Sequence, residues 1–200
     1  LDALVGIPGV KAEINSLVNL VKVQKKRKEL GMKTVDISKH MVFLGNPGTG
    51  KTTVARIVAK IYKYMGILSK GTFVETDRAG LVKGYVGQTA ASVKEVCESA
   101  LGGILFIDEA YGLHRECDAG SNGNTFGDEA IEVIIQYMEN YKNDLIVIFA
   151  GYEEETRYML KHGNAGMLSR IDDDLGYYYF MPYSPDVLYN IVMFHLSAQG

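Results

Sequence analysis

Apolar and polar positions follow two different rhythms along this chain. Between residues 10 and 30, Ile14, Leu17, Val18, Val21 and Leu30 recur at mostly helical intervals, with Lys22, Lys25, Lys26, Arg27 and Lys28 largely between them. That spacing predicts an amphipathic helix ended by Gly31, its basic run a solvated face. Short continuous apolar runs then take over. Runs at 41–44, 72–76, 104–107, 145–150 and 177–180 have the length of buried strands, and helical patterns at 51–65, 90–100, 129–141 and 153–161 separate them. Strand and helix in alternation predict βαβ units, hence an α/β fold with a parallel sheet sandwiched by helices. The segment 117–125, rich in Gly, Ser and Asn, predicts a surface loop, and Ser184-Pro185-Asp186 opens a further N-capped helix.

Composition narrows the classes. The 200 residues are 47% hydrophobic and 22% charged, enough to bury a sizeable core and to exclude disordered and fibrous chains. No apolar run approaches the roughly 20 residues that span a bilayer, so no membrane association is expected. A net charge of −3 supplies no global field toward nucleic acid or anionic lipid. Cys97 and Cys117 make no disulfide framework and no signal segment opens the chain, which points to the cytoplasm. His40, His114, His162 and His195 lack ligand spacing, so no side-chain metal centre is expected apart from a Mg²⁺ site. The start at Leu1 rather than Met suggests an excerpt of a longer protein, and 22 glycines against 4 prolines suggest functional turns.

The chemistry begins at Gly45-Asn46-Pro47-Gly48-Thr49-Gly50-Lys51-Thr52-Thr53, which satisfies G-x-x-x-x-G-K-[ST] directly after an apolar strand and opens a helix. The glycines let successive N–H groups curl inward toward phosphate oxygens, and the helix N-terminus adds partial positive charge. Lys51 is placed to reach the β and γ phosphates, and the Thr52 hydroxyl to ligate Mg²⁺. The four fixed positions arise by chance in about 1% of chains of this size. A second apolar run, Ile104-Leu105-Phe106-Ile107, ends in Asp108-Glu109. Beside a phosphate loop, the first carboxylate serves Mg²⁺ and the next polarises a water, which favours hydrolysis over nucleotide storage. Between the two motifs, Lys83-Gly84-Tyr85-Val86-Gly87-Gln88 sets an aromatic between glycines.

Together with Gly103-Ile104-Leu105-Phe106-Ile107-Asp108-Glu109-Ala110-Tyr111, Met138-Glu139-Asn140 and Ala150-Gly151-Tyr152, these blocks resemble the AAA+ ATPases of the CbbX and stage V sporulation protein K group. The resemblance implies a P-loop NTPase core with a five-stranded sheet over 1–182, including an N-terminal linker and helix at 1–39, and only the first helix of a C-terminal lid at 183–200. It implies ATP and Mg²⁺ as cofactors and a homo-oligomeric ring, usually a hexamer, with nucleotide between subunits. Tyr85 then corresponds to the pore aromatic that grips a threaded protein client, and Arg170 to the arginine inserted into a neighbour's site. Gly6 matches the linker position whose backbone contacts adenine. Three departures stand out: the sensor-1 position is Tyr152, position 168 is Leu where the CbbX pattern often has arginine, and most of the lid, with its sensor-2 arginine, is missing.

The leading expectation is therefore an ATP-hydrolysing remodeller of proteins, with Glu109, Arg170 and Lys51 as catalytic groups and Thr52 and Asp108 on the metal. A nucleic-acid-dependent motor or loader is the alternative, disfavoured because Lys83 alone is basic around Tyr85 and the overall charge is negative. An ATP-gated assembly scaffold with little turnover is a third reading.

Overall fold

The computed structural model describes residues 6–34, 37–83, 88–114 and 126–198. Helix α1 (Pro8–Glu29) starts with proline in its first turn and ends at Leu30, followed by Gly31 at φ 68°, so the predicted stop is where the backbone turns left-handed. Its buried stripe is Val10, Ile14, Leu17, Val18 and Val21. Five strands follow, β1 (Met41–Gly45), β2 (Phe73–Thr76), β3 (Gly103–Ile107), β4 (Leu145–Gly151) and β5 (Tyr177–Phe180). They form one sheet in the order β2-β3-β4-β1-β5, and all four pairings are parallel.

Helices cover both faces, as the alternating pattern predicts. On one face α1 and α2 (Lys51–Tyr64) pack against Met41, Phe43, Ile104, Phe106 and Tyr178. On the other, α4 (Gln88–Ala100), α5 (Phe126–Asn140) and α6 (Glu153–His162) bury Val42, Leu105, Val147 and Phe149. The central strands are apolar on both faces because both are covered, which explains why they read as continuous runs rather than alternations. The Tyr177–Phe180 run is the exception. Among the described residues it is an edge strand paired to β1 alone, with Tyr178 and Phe180 buried and Tyr179 exposed, so it is half-buried rather than wholly buried as expected.

Three short elements escaped the periodicity: α3 (Arg78–Leu81), a 3-10 turn over Ala110–Leu113 and α7 (Ala165–Leu168). Each is four residues long, too short to show a helical period. The terminal helix α8 (Pro185–Ala198) follows the cap at Ser184, whose carbonyl accepts from Leu188 N–H at 3.0 Å. Leu188, Tyr189, Val192 and Phe194 on it are exposed. The loop expected over 117–125, with Cys117, lies outside the described residues.

Candidate nucleotide site

The connection from β1 to β2 passes over two intervening strands, while β4 returns to lie between β3 and β1. This arrangement opens a crevice at the carboxyl ends of β1, β4 and β3, where ligands of open α/β sheets bind. A cavity of about 310 Å³ lies there. The phosphate-loop residues Gly45, Pro47, Gly48, Gly50, Lys51, Thr52 and Thr53 form one wall, and Asp108, Glu109, Tyr111, Gly151 and Tyr152 the other. Two motifs 57 positions apart in the chain, Lys51 and Asp108, thus meet because a single strand separates β1 from β3.

Within the loop, Gly48 and Gly50 adopt φ of 75° and 92°, the left-handed conformations that turn N–H groups to the concave side. The carbonyls then face the protein and are paired there. Lys51 Nζ donates to the carbonyls of Gly45 at 2.7 Å and Asn46 at 2.9 Å, and the buried Thr49 hydroxyl donates to Asn46 O at 2.7 Å. Burial lowers the Lys51 pKa from its ordinary value, while the nearby carboxylates of Asp108 and Glu109 pull it back up. The ammonium is accordingly held over the loop by hydrogen bonds to its own backbone.

The opposing wall is set by an unusual turn. Glu109 has φ 47° and ψ 41°, left-handed geometry that costs a non-glycine residue on the order of 1 kcal/mol. Its neighbours hold it there: Asp108 N–H donates to Thr76 O at 2.8 Å, Gly112 N–H donates to Glu109 O at 2.8 Å, and Glu109 N–H donates to the Asp108 carboxylate at 3.0 Å. The turn faces the exposed Glu109 side chain to the same cavity as Lys51. Tyr152 directly follows β4 and precedes α6, between the two motifs, its ring 5.8 Å from that of Tyr111.

Two hard oxygen donors, the Thr52 hydroxyl and the Asp108 carboxylate, face this one cavity and suit Mg²⁺. Among the described residues no cluster of three or more His, Cys, Asp or Glu side chains could cage a metal by itself. The set therefore fits a Mg²⁺ that keeps waters and shares phosphate oxygens, as this ion usually does.

Not every expected residue converges here. Gly6 lies against α8, where an added Cβ would sit 2.8 Å from Val187 Cγ1 and 3.1 Å from the Tyr183 ring. Arg170 lies at the opposite end of the sheet. Ile171 bridges His40, the residue before β1, whereas the phosphate loop follows β1. The five residues between them span about 15 Å, beyond the reach of one side chain. Arg170 pairs with Glu139 at 3.1 Å and donates to Gly166 O at 2.9 Å, rather than pairing with the aspartates at 172–174. Leu168 is partly exposed nearby. Tyr85 lies outside the described residues.

Tyr111 and Tyr183 belong to the site's surroundings, and no motif in the sequence gives either a role. Tyr111 was visible as the second residue after Glu109; nothing in the sequence signalled that Tyr183 touches the phosphate loop.

A parallel sheet with a phosphate loop after its first strand, facing a strand that ends in two carboxylates, defines a P-loop nucleotide-binding protein. The family model "ATPase family associated with various cellular activities (AAA)" matches residues 41–167, and the chain belongs to that family. It is 43% identical to the stage V sporulation protein K of Bacillus subtilis over 85% of this chain and 51% of that protein. It is 41% identical to the protein CbbX of Cereibacter sphaeroides over 98% of this chain and 61% of that protein. The chain thus spans between half and two thirds of these relatives' lengths. The fold is also similar to the FIGL-1 AAA domain, solved in complex with ADP, with a TM-score of 0.62 and 19% identity over 97% of this chain and 59% of that one. Among the described residues no helix is long and apolar enough to cross a membrane.

Proposed function

We propose that this chain is the Mg²⁺-dependent ATP-hydrolysing core of a cytoplasmic ring, usually six subunits in the group it resembles, that remodels a protein client. The observation that carries the reading is the strained Glu109 turn, which presents a carboxylate to the same cavity as Lys51, Thr52 and Asp108. Such strain persists only where surrounding structure enforces it, and a phosphate-storage loop needs no carboxylate there.

In this reading the N–H groups of residues 48–52 and the Lys51 ammonium bind the β and γ phosphates. Thr52 and Asp108 hold Mg²⁺, directly or through water, and the bound ion neutralises charge on the phosphate oxygens. Glu109 accepts the proton of the attacking water, and the Tyr152 hydroxyl orients that water from the end of β4. Arg170 serves the neighbouring subunit, where its guanidinium offsets charge developing on the γ phosphoryl group. Its bond to Glu139 does not prevent this. The Glu139 side chain is 55% exposed, so the pair is worth about 1 kcal/mol or less. Gly6 is assigned to the adenine side, Tyr85 to the client-gripping loop, and residues 183–200 to the start of a helical lid whose exposed apolar side chains suit packing against further helices.

The direct test is Glu109→Gln. ATP binding is expected to stay within a factor of about two while turnover falls by at least about 100-fold, the scale of a lost general base. Turnover near the parent rate rejects the role given to Glu109.

A further inference from the structure

Beyond the groups that face the cavity, one side chain reaches the phosphate loop from outside it. The Tyr183 hydroxyl donates to the Thr49 carbonyl at 2.8 Å. Tyr183 belongs to the four-residue connection between β5 and α8, 134 positions from Thr49. Its oxygen is also the nearest atom to the space beside Gly50, where an added Cβ would lie 3.0 Å from it.

The physical significance lies in how a phosphate loop works. Its N–H groups must all point to one side, so its carbonyls are forced to the other and need donors there. Lys51 and the Thr49 hydroxyl supply two of these donors from within the loop itself. Tyr183 supplies a third from a different part of the fold. Burial raises the phenol's pKa from its ordinary value, so it remains a donor at neutral pH.

The same ring faces the N-terminal segment. Gly6, at φ 80°, packs so closely that a Cβ there would lie 3.1 Å from Tyr183 Cε1 and 2.8 Å from Val187 Cγ1, in the first turn of α8. Ser184, next to Tyr183, caps α8 through its carbonyl and its hydroxyl, the latter accepting from Val187 N–H at 3.4 Å. The tyrosine is therefore fixed to the start of α8 on one side and bonded to the phosphate loop on the other.

We infer that Tyr183 is a positioning residue that couples the conformation of the phosphate loop to the position of α8 and the segment at Gly6. Nucleotide phosphates that tighten the loop fix the Thr49 carbonyl, the carbonyl fixes the phenol, and the phenol holds the base of α8. Movement of α8 away from the core withdraws a donor from the loop and weakens its grip on phosphate. The inference rests on the nucleotide-site reading above.

Tyr183→Phe tests it, since it deletes the hydroxyl and keeps the ring. In the intact protein, ADP is expected to slow amide hydrogen exchange both in residues 48–54 and in the first turns of α8. The variant is expected to bind ADP about three- to ten-fold more weakly, the value of one neutral hydrogen bond. At saturating ADP it should protect the phosphate loop but no longer α8, while its melting temperature without ADP falls by no more than about 5 °C, the scale of one lost hydrogen bond. A role confined to packing would leave the α8 protection unchanged. Equal protection of α8 in parent and variant overturns the coupling, as does a parent in which ADP protects the loop and never α8. Absence of ADP binding by the parent overturns the nucleotide-site reading itself, and the coupling with it.

Discussion

Single residues decide this site by where their backbones are forced to go. Glu109 accepts left-handed geometry at a cost of about 1 kcal/mol, and that turn is what brings its carboxylate to the cavity shared with Lys51. Gly45 shows the same logic with sterics instead of strain. It has φ 149°, and a Cβ there would lie 2.2 Å from the Phe180 carbonyl oxygen, well inside van der Waals contact. β5 can pair with β1 up to the mouth of the loop only because position 45 has no side chain. Gly45→Ala is accordingly expected to cost about 2–4 kcal/mol of stability, read from urea unfolding, and to weaken nucleotide binding by displacing the loop. Unchanged stability would mean that β5 yields easily at its end. The motif marked Gly45 from sequence as a loop glycine; its contact with Phe180 was invisible, because no spacing rule relates residues 135 positions apart.

At the scale of elements, the amino ends of the strands matter as much as the carboxyl ends. His40, just before β1, is buried, with Nδ1 accepting from Val147 N–H at 3.0 Å and Nε2 3.3 Å from the carbonyl of Met138 in the last turn of α5. These partners define one neutral tautomer, protonated at Nε2. The ring thus ties β1, β4 and α5 together next to the segment carrying Arg170, whose carbonyl accepts from the Ser38 hydroxyl. Burial, with the charges of Lys39 and Arg170, lowers the His40 pKa to about 4 despite the opposing Met138 bond. The unfolded chain takes up this proton near pH 6.5 and the folded one only near 4, so stability is complete above about 6.5 and drains away as pH falls toward 4. From this group alone the unfolding free energy should drop by about 2 kcal/mol between pH 7 and pH 5. His40→Gln should remove that part of the slope in urea titrations at the two pH values, and an unchanged slope would place the acid sensitivity elsewhere. In the sequence His40 is a histidine without ligand spacing, a pattern that says nothing of a ring used as a brace.

For the whole molecule, the decisive fact is that the phosphate loop and Arg170 lie at opposite ends of one sheet. A single subunit cannot bring them together without breaking β1 from its neighbours. If Arg170 serves catalysis, it serves another copy, and the two halves of the site can be supplied by different chains. Arg170→Ala subunits and Lys51→Ala subunits should each be nearly inactive alone. Mixed in equal amounts they should recover about a quarter of the parent rate, the fraction of random interfaces that join an intact phosphate loop to an intact arginine. No recovery from subunits that co-assemble would remove Arg170 from the reaction.

Local rules were enough for the class of fold and for the chemistry of the loop. Apolar runs of strand length between helical periods can be satisfied only by a sheet covered on both sides, and a glycine-rich turn between strand and helix presents N–H groups whatever surrounds it. Those features depend on neighbours within a few residues, and Tyr177–Phe180 or Lys51 could be placed from such neighbours alone. The strand order, the meeting of Lys51 with Glu109, the separation of Arg170 from both, and the bond from Tyr183 to Thr49 depend on which distant segments pack together. Pairing of segments far apart in the chain is selected by burial and shape across the whole core, and no one-dimensional pattern records it.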